Sequence, residues 1–283
     1  MENVLPHEED TGTNVWLNIL QNIHDRKYDT PSPIVVVFPE RRVSVPNLLK
    51  DIKKKRLSIA NVQRSARFYY TYCSPSRITL PSYLCGDLAY FIGVIMGDGT
   101  IVSPTKRKRG GYHWKISITG ELGHLKLFKN IIVRLFNYTP RMYKDQRKKN
   151  TYSLLINSKV IYRYLTNVLG LHISAKKTEF DVPQIVGPEF FKHFLAGLFD
   201  TDGCVTARAV KINQQSKRFL SQVKMLTHQL FAIEFKGPYL NRKTMWKKHW
   251  EIRLGTVKER RRFFQEIPIR IKTSNLERAT TSR

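Results

Sequence analysis

Two carboxylates, Asp98 and Asp202, each end an apolar helical pattern and each precede a glycine, in Phe91-Ile-Gly-Val-Ile-Met-Gly-Asp98-Gly99 and Leu195-Ala-Gly-Leu-Phe-Asp-Thr-Asp202-Gly203. A carboxylate in the last turn faces the negative end of the helix dipole, at a cost of a few tenths to ~1 kcal/mol. One such Asp-Gly would read as a simple C-terminal turn, but two nine-residue segments in register form an internal repeat. Matched small residues, Gly93 and Gly97 in one copy and Gly197 and Thr201 in the other, give each helix a face through which two backbones can approach closely. Helices packed on those faces would bring the acids together, where like charges raise one another's pKa unless a cation neutralises them. Two hard oxygen ligands with open positions suit Mg²⁺, with Mn²⁺ as the alternative. Hydrolysis of a phosphodiester is the chemistry such a pair would serve, through activated water and stabilised negative charge.

The overall balance agrees with a polyanionic substrate. The chain has 283 residues with 49 Lys and Arg against 22 Asp and Glu, a formal charge of +27. That excess is far beyond what solubility requires and points to nucleic acid before ribosomes or anionic lipid. Cys73, Cys85 and Cys204 are too scattered for a disulfide framework, and neither Cys-x-x-Cys nor His-x-x-x-His spacing supports a zinc site. An intracellular setting is expected, in the cytoplasm or nucleoid, or an organelle matrix for an organellar gene. The start Met1-Glu-Asn-Val-Leu-Pro lacks a basic-then-apolar leader, and no apolar run is long enough to span a bilayer, so no membrane is expected. Without a Cys or Ser start or a terminal His-Asn, the chain reads as free-standing rather than as an intein.

The elements around the motifs also repeat. After the first motif, Tyr112 to Thr119 alternates Trp114, Ile116 and Ile118 with Lys115, Ser117 and Thr119, a half-buried strand. A helix follows with Leu125, Phe128, Ile132 and Leu135 on one face, then an alternating strand from Thr151 to Asn157, then a helix from Val160 to Leu169 that stops at Gly170. The second half runs in the same order: the motif helix, strands through Val205 to Gln215, and a helix burying Leu220, Val223, Leu226 and Leu230. A strand alternating Trp250, Ile252 and Leu254 with His249, Glu251 and Arg253 comes next, and a basic helix from Val257 ends before Pro268. The fold class is α+β, two pseudo-symmetric αββαββα repeats over 81–182 and 183–283, with helices on one face of each antiparallel sheet and a polar face left open. Trp114, Trp246, Trp250 and Phe263 are expected in the core.

At these two motifs the chain resembles the LAGLIDADG family of homing endonucleases, and the resemblance extends over roughly residues 81 to 283. It implies a monomeric, metal-dependent, site-specific double-strand DNA endonuclease with one acid per strand, serving intron homing on a long, imperfectly palindromic target. The family's motif often has a second acid two places earlier, present as Asp200 but replaced by Met96, which favours Asp98 and Asp202 as the matched catalytic and metal-binding pair. The family also places a basic residue near the scissile phosphate; Ala175-Lys-Lys-Thr and Ile269-Arg-Ile-Lys-Thr offer Lys177 and Lys272 there. A water-ordering polar residue falls at Gln214 or Gln215 in the second half, where the first half has Gly120-Glu121. The family's saddle of two sheets over the major groove would present Lys115, Ser117, Thr206, Arg208, Asn213, Gln215 and Arg253 to DNA. The turn runs Lys106, Arg107, Lys108, Arg109 and Arg147-Lys-Lys149 would reach flanking phosphates.

Residues 1–80 lie outside the resemblance. They are expected to form a small, mostly helical domain in which Pro46 to Lys54 and Ser58 to Tyr70 make a helix-turn-helix, with Asn61, Arg64 and Arg67 projecting from a recognition helix; a charged surface helix is the competing reading. Two other functions fit the same basic saddle: a regulator that binds DNA without cutting, and a maturase that binds intron RNA. Retention of both acids argues against the regulator.

Overall fold

The computed structural model describes Ile23 and residues 33–54, 66–71, 74–108, 111–146, 150–173, 179–206, 208–243 and 248–272. The N-terminal part contains β1 (Ile34–Val37), β2 (Arg42–Ser44), α1 (Val45–Lys53), β3 (Phe68–Thr71) and β4 (Ser74–Ile78), with the strands ordered β2-β1-β3-β4 in one antiparallel sheet. Pro46 starts α1, where its missing N–H costs nothing, and Lys50 and Lys53 lie in its last turn, favoured by the dipole.

The expected second helix fails at its C-terminal end. Phe68-Tyr-Tyr-Thr71 pairs with β1 from Ile34↔Thr71 to Val37↔Phe68. An aromatic and β-branched run suits a pleated sheet, and the apolar strand β1 supplies its partner. Tyr69 is buried as expected, but from a strand. Arg67 is exposed and its N–H donates to Val37 O at 2.9 Å, so it enters a strand rather than a recognition helix. Ser58, Asn61 and Arg64 lie outside the described residues. The described part of the extension is thus built on a sheet, not mostly helical. It is fastened to the first repeat by Thr79 N–H to Phe136 O at 3.0 Å and Asn137 Nδ2 to Arg77 O at 3.1 Å.

The first repeat runs α2 (Gly86–Gly97), β5 (Gly99–Ile101), a small hairpin of β6 (Thr105–Lys106) and β7 (Tyr112–His113), β8 (Lys115–Gly120), α3 (Leu122–Phe136), β9 (Arg141–Lys144), β10 (Tyr152–Asn157) and α4 (Lys159–Arg163), which widens into a π-turn over Tyr164–Val168. The second runs α5 (Pro188–Asp202), β11 (Gly203–Val205), β12 (Val210–Gln214), α6 (Lys217–Phe231), β13 (Lys236–Lys243), β14 (Lys248–Leu254) and α7 (Val257–Glu266). Their sheets have matching orders, β5-β8-β10-β9 and β11-β12-β14-β13. Gly99 pairs with Ile118 and Gly203 with Ile212, so the repeat extends to register. Local signals end the elements as the sequence suggests. Ser216 and Thr256 accept N–H bonds from Phe219 and Glu259 as N-caps, and α3 and α6 both close on a left-handed residue, Asn137 and Ala232.

The strand predicted over Tyr112–Thr119 is broken at Trp114. That side chain is buried, edge-on to Tyr162 with ring centroids 5.1 Å apart, and Arg163 lies 4.8 Å over its ring. Phe263 is also core; Trp250 is half-buried with Lys217 over its ring, and Trp246 lies outside the described residues. Among the described residues no helix is long and apolar enough to cross a membrane.

Helices α2 and α5 run side by side through the centre, and both bury nearly all of their residues from Leu88 to Met96 and from Phe194 to Asp200. A Cβ on Gly93 would collide with Phe194 O and fall 2.8 Å from Leu198 N; one on Gly197 would collide with Tyr90 O. One on Gly97 would strike Thr201, whose hydroxyl is satisfied within its own helix by Gly197 O and Leu198 O. Contact is therefore backbone to backbone, as the small-residue spacing implied. Gly93→Ala or Gly197→Ala must push the helices apart and is expected to cost about 1–3 kcal/mol or more in urea unfolding. Gly123→Ala, on α3 with nothing within 4 Å, should be neutral or stabilising by up to ~1 kcal/mol.

Candidate active site

Asp98 terminates α2 as its C-cap and Asp202 is the last residue of α5; β5 and β11 start at the next residue in each case. Each acid therefore stands where the sheet of its own repeat begins. An ideal Cβ on Gly97 would lie 3.4 Å from Asp202 Oδ2, which places the second acid against the end of the first helix. Burial and then the Asp98 charge push the Asp202 carboxyl up to about 8, against the opposing pull of Lys272 and Gln214. Asp98 keeps an exposed face; partial desolvation still raises its pKa, while Lys272 and His124 pull it down.

Gln214, at the end of β12, donates from Nε2 both to Met96 O at 3.0 Å and to Asp202 Oδ2. One amide thus joins the end of the first helix to the acid of the second. The register equivalence puts Gly120 at the corresponding place in the first half, so that half has no side chain there. Gln215 is the next residue and sits beyond the strand.

Lys272 Nζ donates to Phe199 O at 3.1 Å, Thr201 O at 3.0 Å and Gly203 O. Its charge therefore occupies the negative end of α5 and offsets the dipole cost of the acids there. Burial lowers its pKa, and Asp200, Asp202 and Asp98 pull it back up. Lys177 lies outside the described residues; Lys272, the described member of the expected pair, lies beside the acids.

The sequence left Asp200 without a role, and the structure shows what it touches. It is 2% exposed, and its carboxylate accepts Tyr90 OH at 2.8 Å and the backbone N–H groups of Arg270, Ile271 and Lys272 at 2.9, 3.1 and 3.1 Å. Burial and that charge together hold the Tyr90 hydroxyl protonated. Arg270 in turn reaches back to the first motif helix, with its guanidinium 2.7 Å from Asp87 and 4.2 Å over the Tyr90 ring. An Asp six places into the motif was the available signal, but its partners are seventy residues downstream in sequence and carry no pattern of their own.

The expected nucleic-acid side chains divide between sheets and loops. Lys115, Ser117 and Thr119 share one face of β8 opposite buried Ile116 and Ile118. On the second sheet Asn213 accepts from Asn241 at 3.1 Å, exposed Arg253 lies 4.8 Å over Tyr239, and Lys211 pairs with buried Glu251 at 3.1 Å. The strands expected through Val205 to Gln215 are β11 and β12, joined by a turn in which Thr206 and Ala209 bond each other at 2.9 to 3.1 Å; Thr206 is thus a turn residue, and Arg208 is exposed beside it. Lys106, Arg107 and Lys108 sit at the tip of the β6–β7 hairpin, whereas Arg109 and 147–149 lie outside the described residues.

Residues 189–268 match a family model described as a LAGLIDADG-like domain. An uncharacterized protein of Methanocaldococcus jannaschii is 25% identical over 145 residues, 51% of this chain and 48% of that protein. The NrdEB alpha subunit of a Bacillus subtilis ribonucleoside-diphosphate reductase is 28% identical over 160 residues, 53% of this chain and 13% of the subunit. The chain thus spans about half of the first relative and a small part of the second. Among solved structures, I-DmoI in complex with DNA and calcium superposes with a TM-score of 0.52 at 19% identity, covering 68% of this chain and 97% of I-DmoI. Mesophilic variants of the homing endonuclease I-DmoI give 0.51 at 20% identity with the same coverage. At such identities the likeness is one of fold.

The raised Asp202 pKa has a consequence for stability. The unfolded chain ionises this group near 3.8 and the folded one near 8, so between those values the folded state binds more protons. Stability of the metal-free protein should therefore fall as pH rises through that window. Melting in chelator at about pH 5 and about pH 9 is expected to show this loss, and Asp202→Asn should flatten it.

Proposed function

We propose, for a chain that carries a LAGLIDADG-like domain and has the LAGLIDADG homing-endonuclease fold, that it is a site-specific double-strand DNA endonuclease using a divalent cation. The observation that carries this reading is that Asp98 and Asp202 end two helices packed backbone to backbone, each directly before the first strand of its own sheet, on a chain of formal charge +27. A purely structural helix pair, or a protein that only binds DNA, gains nothing from placing one acid where burial and the charge of the other raise its pKa.

Asp98 and Asp202 would hold the cation. Among the described residues no group of three or more His, Cys, Asp and Glu gathers around a metal position. That donor set still fits Mg²⁺, or Mn²⁺, which is commonly held by one or two carboxylates with water and substrate phosphate completing the shell. The bound ion would lower the pKa of a water and neutralise charge at the phosphate. The chain's own side chains do the rest. Gln214 donates to one oxygen of Asp202 and so orients that carboxylate. Lys272 keeps a positive charge beside both acids and helps accommodate a dianionic phosphorus centre. Lys115, Ser117, Asn213, Gln215 and Arg253 would read or hold the duplex from the sheets, and Arg208 and Lys106, Arg107 and Lys108 would reach flanking phosphates. The unequal halves imply a monomer acting on a long, imperfectly palindromic site, with intron homing as the setting and an intracellular location.

Asp98→Asn keeps the side-chain size and removes one of two repelling charges. Without metal it should bind target DNA at least as tightly as the parent, while cleavage with Mg²⁺ should fall by several orders of magnitude because the amide is a poor ligand. Asp202→Asn should behave alike. Gel-shift and plasmid-linearisation assays on the uninterrupted host gene would measure both. A parent that binds this DNA tightly but never cuts it with Mg²⁺ or Mn²⁺ would transfer the reading to a regulator or an RNA-binding maturase.

A further inference from the structure

The two halves share topology and register but not the wiring beneath their acids. In the second half, Asp200 accepts four hydrogen bonds, from Tyr90 OH and from three successive backbone N–H groups at Arg270, Ile271 and Lys272. A buried carboxylate in that position is fully satisfied, and bonds to an ionised acceptor are about twice as strong as neutral ones. In the first half the matched residue is Met96, whose thioether cannot gather backbone donors in this way.

What Asp200 holds is the residue that carries the site's positive charge. The N–H of Lys272 itself is bound by Asp200 Oδ1, and from that fixed backbone position the side chain reaches Phe199 O and Thr201 O. The same segment is gripped from the first half by Arg270 on Asp87 and over Tyr90. Since Tyr90 also donates to Asp200, the tether spans both motif helices.

We propose that Asp200 is a positioning residue for Lys272, acting on the second half alone, so that the two DNA strands are cut by unequally organised sites. This rests on the endonuclease reading. Asp200 is 2% exposed, so its effect passes through the placement of Lys272, and a displacement of about 1 Å at such a group can cost about a hundredfold in rate.

The test uses the full chain and target duplex labelled on each strand in turn. In Asp200→Asn, DNA affinity should stay within about twofold, while cleavage of one strand, always the same one, should slow by about tenfold to a hundredfold so that singly nicked duplex accumulates. Tyr90→Phe removes one donor but keeps the ring under Arg270, and should slow that same strand by a smaller factor. Equal slowing of both strands would reduce Asp200 to a structural support and overturn the proposal, as would no slowing of either. Amide exchange at Arg270, Ile271 and Lys272 gives a reading independent of cutting. It should quicken in Asp200→Asn, and unchanged exchange would also overturn the proposal. A parent that fails to cut would end the endonuclease reading, and faster exchange in the variant would still establish the tether.

Discussion

The structure depends on one close approach. Helices α2 and α5 meet backbone to backbone at Gly93 and Gly197, where any side chain would collide with Phe194 O or Tyr90 O of the opposing helix. That contact brings the helix ends together, and because β5 and β11 begin directly after them, it also decides where the two sheets start. Each repeat is thus hung from a helix whose position its partner fixes. The apolar residues on all other sides of both helices pack against their own sheets and outer helices, each fully buried aliphatic or aromatic side chain contributing on the order of 1.5–3 kcal/mol.

Such tight packing makes the helix ends an unfavourable place for charge, and the surrounding groups answer that problem. Asp98 and Asp202 stand at the negative poles of both dipoles in partly dehydrated surroundings. Lys272 opposes them by donating to the last carbonyls of α5, and Gln214 donates to Asp202 while holding Met96 O. The residual tension appears as the raised pKa of Asp202, and it is what the cation of the proposed function would offset.

The repeat is faithful in backbone and unfaithful in polar detail. Strand order, register and even the left-handed closures at Asn137 and Ala232 correspond. Yet Gly120 stands where the second half has Gln214, and Met96 where it has Asp200. Packing constraints act on shape and are met by any residue of suitable size, whereas hydrogen-bond networks require particular atoms. Two copies released from exact symmetry can therefore keep a common fold while their sites and polar surfaces diverge.

The sequence by itself determined the repeat, the helix pair and its two acids, because these rest on local periodicity and on small residues at fixed spacing. It also determined the alternation of β8, whose buried and open faces follow from the two-residue period of a strand; on β14 it missed Glu251, which is buried and paired with Lys211. It failed where partners are remote. Phe68 to Tyr70 looked like the end of a helix, and only pairing with the strand Ile34 to Val37 made them part of one. Tyr112 to Thr119 looked continuous, and only the packing of Trp114 against Tyr162 broke it. Lys272 was expected at the site from a resemblance, but its bonds to three helix-end carbonyls, and the hold of Asp200 on its backbone, belong to tertiary structure. Periodicity reports which face of an element is dry. It carries no information about which distant backbone groups a buried carboxylate will find, because that is decided only when the elements pack.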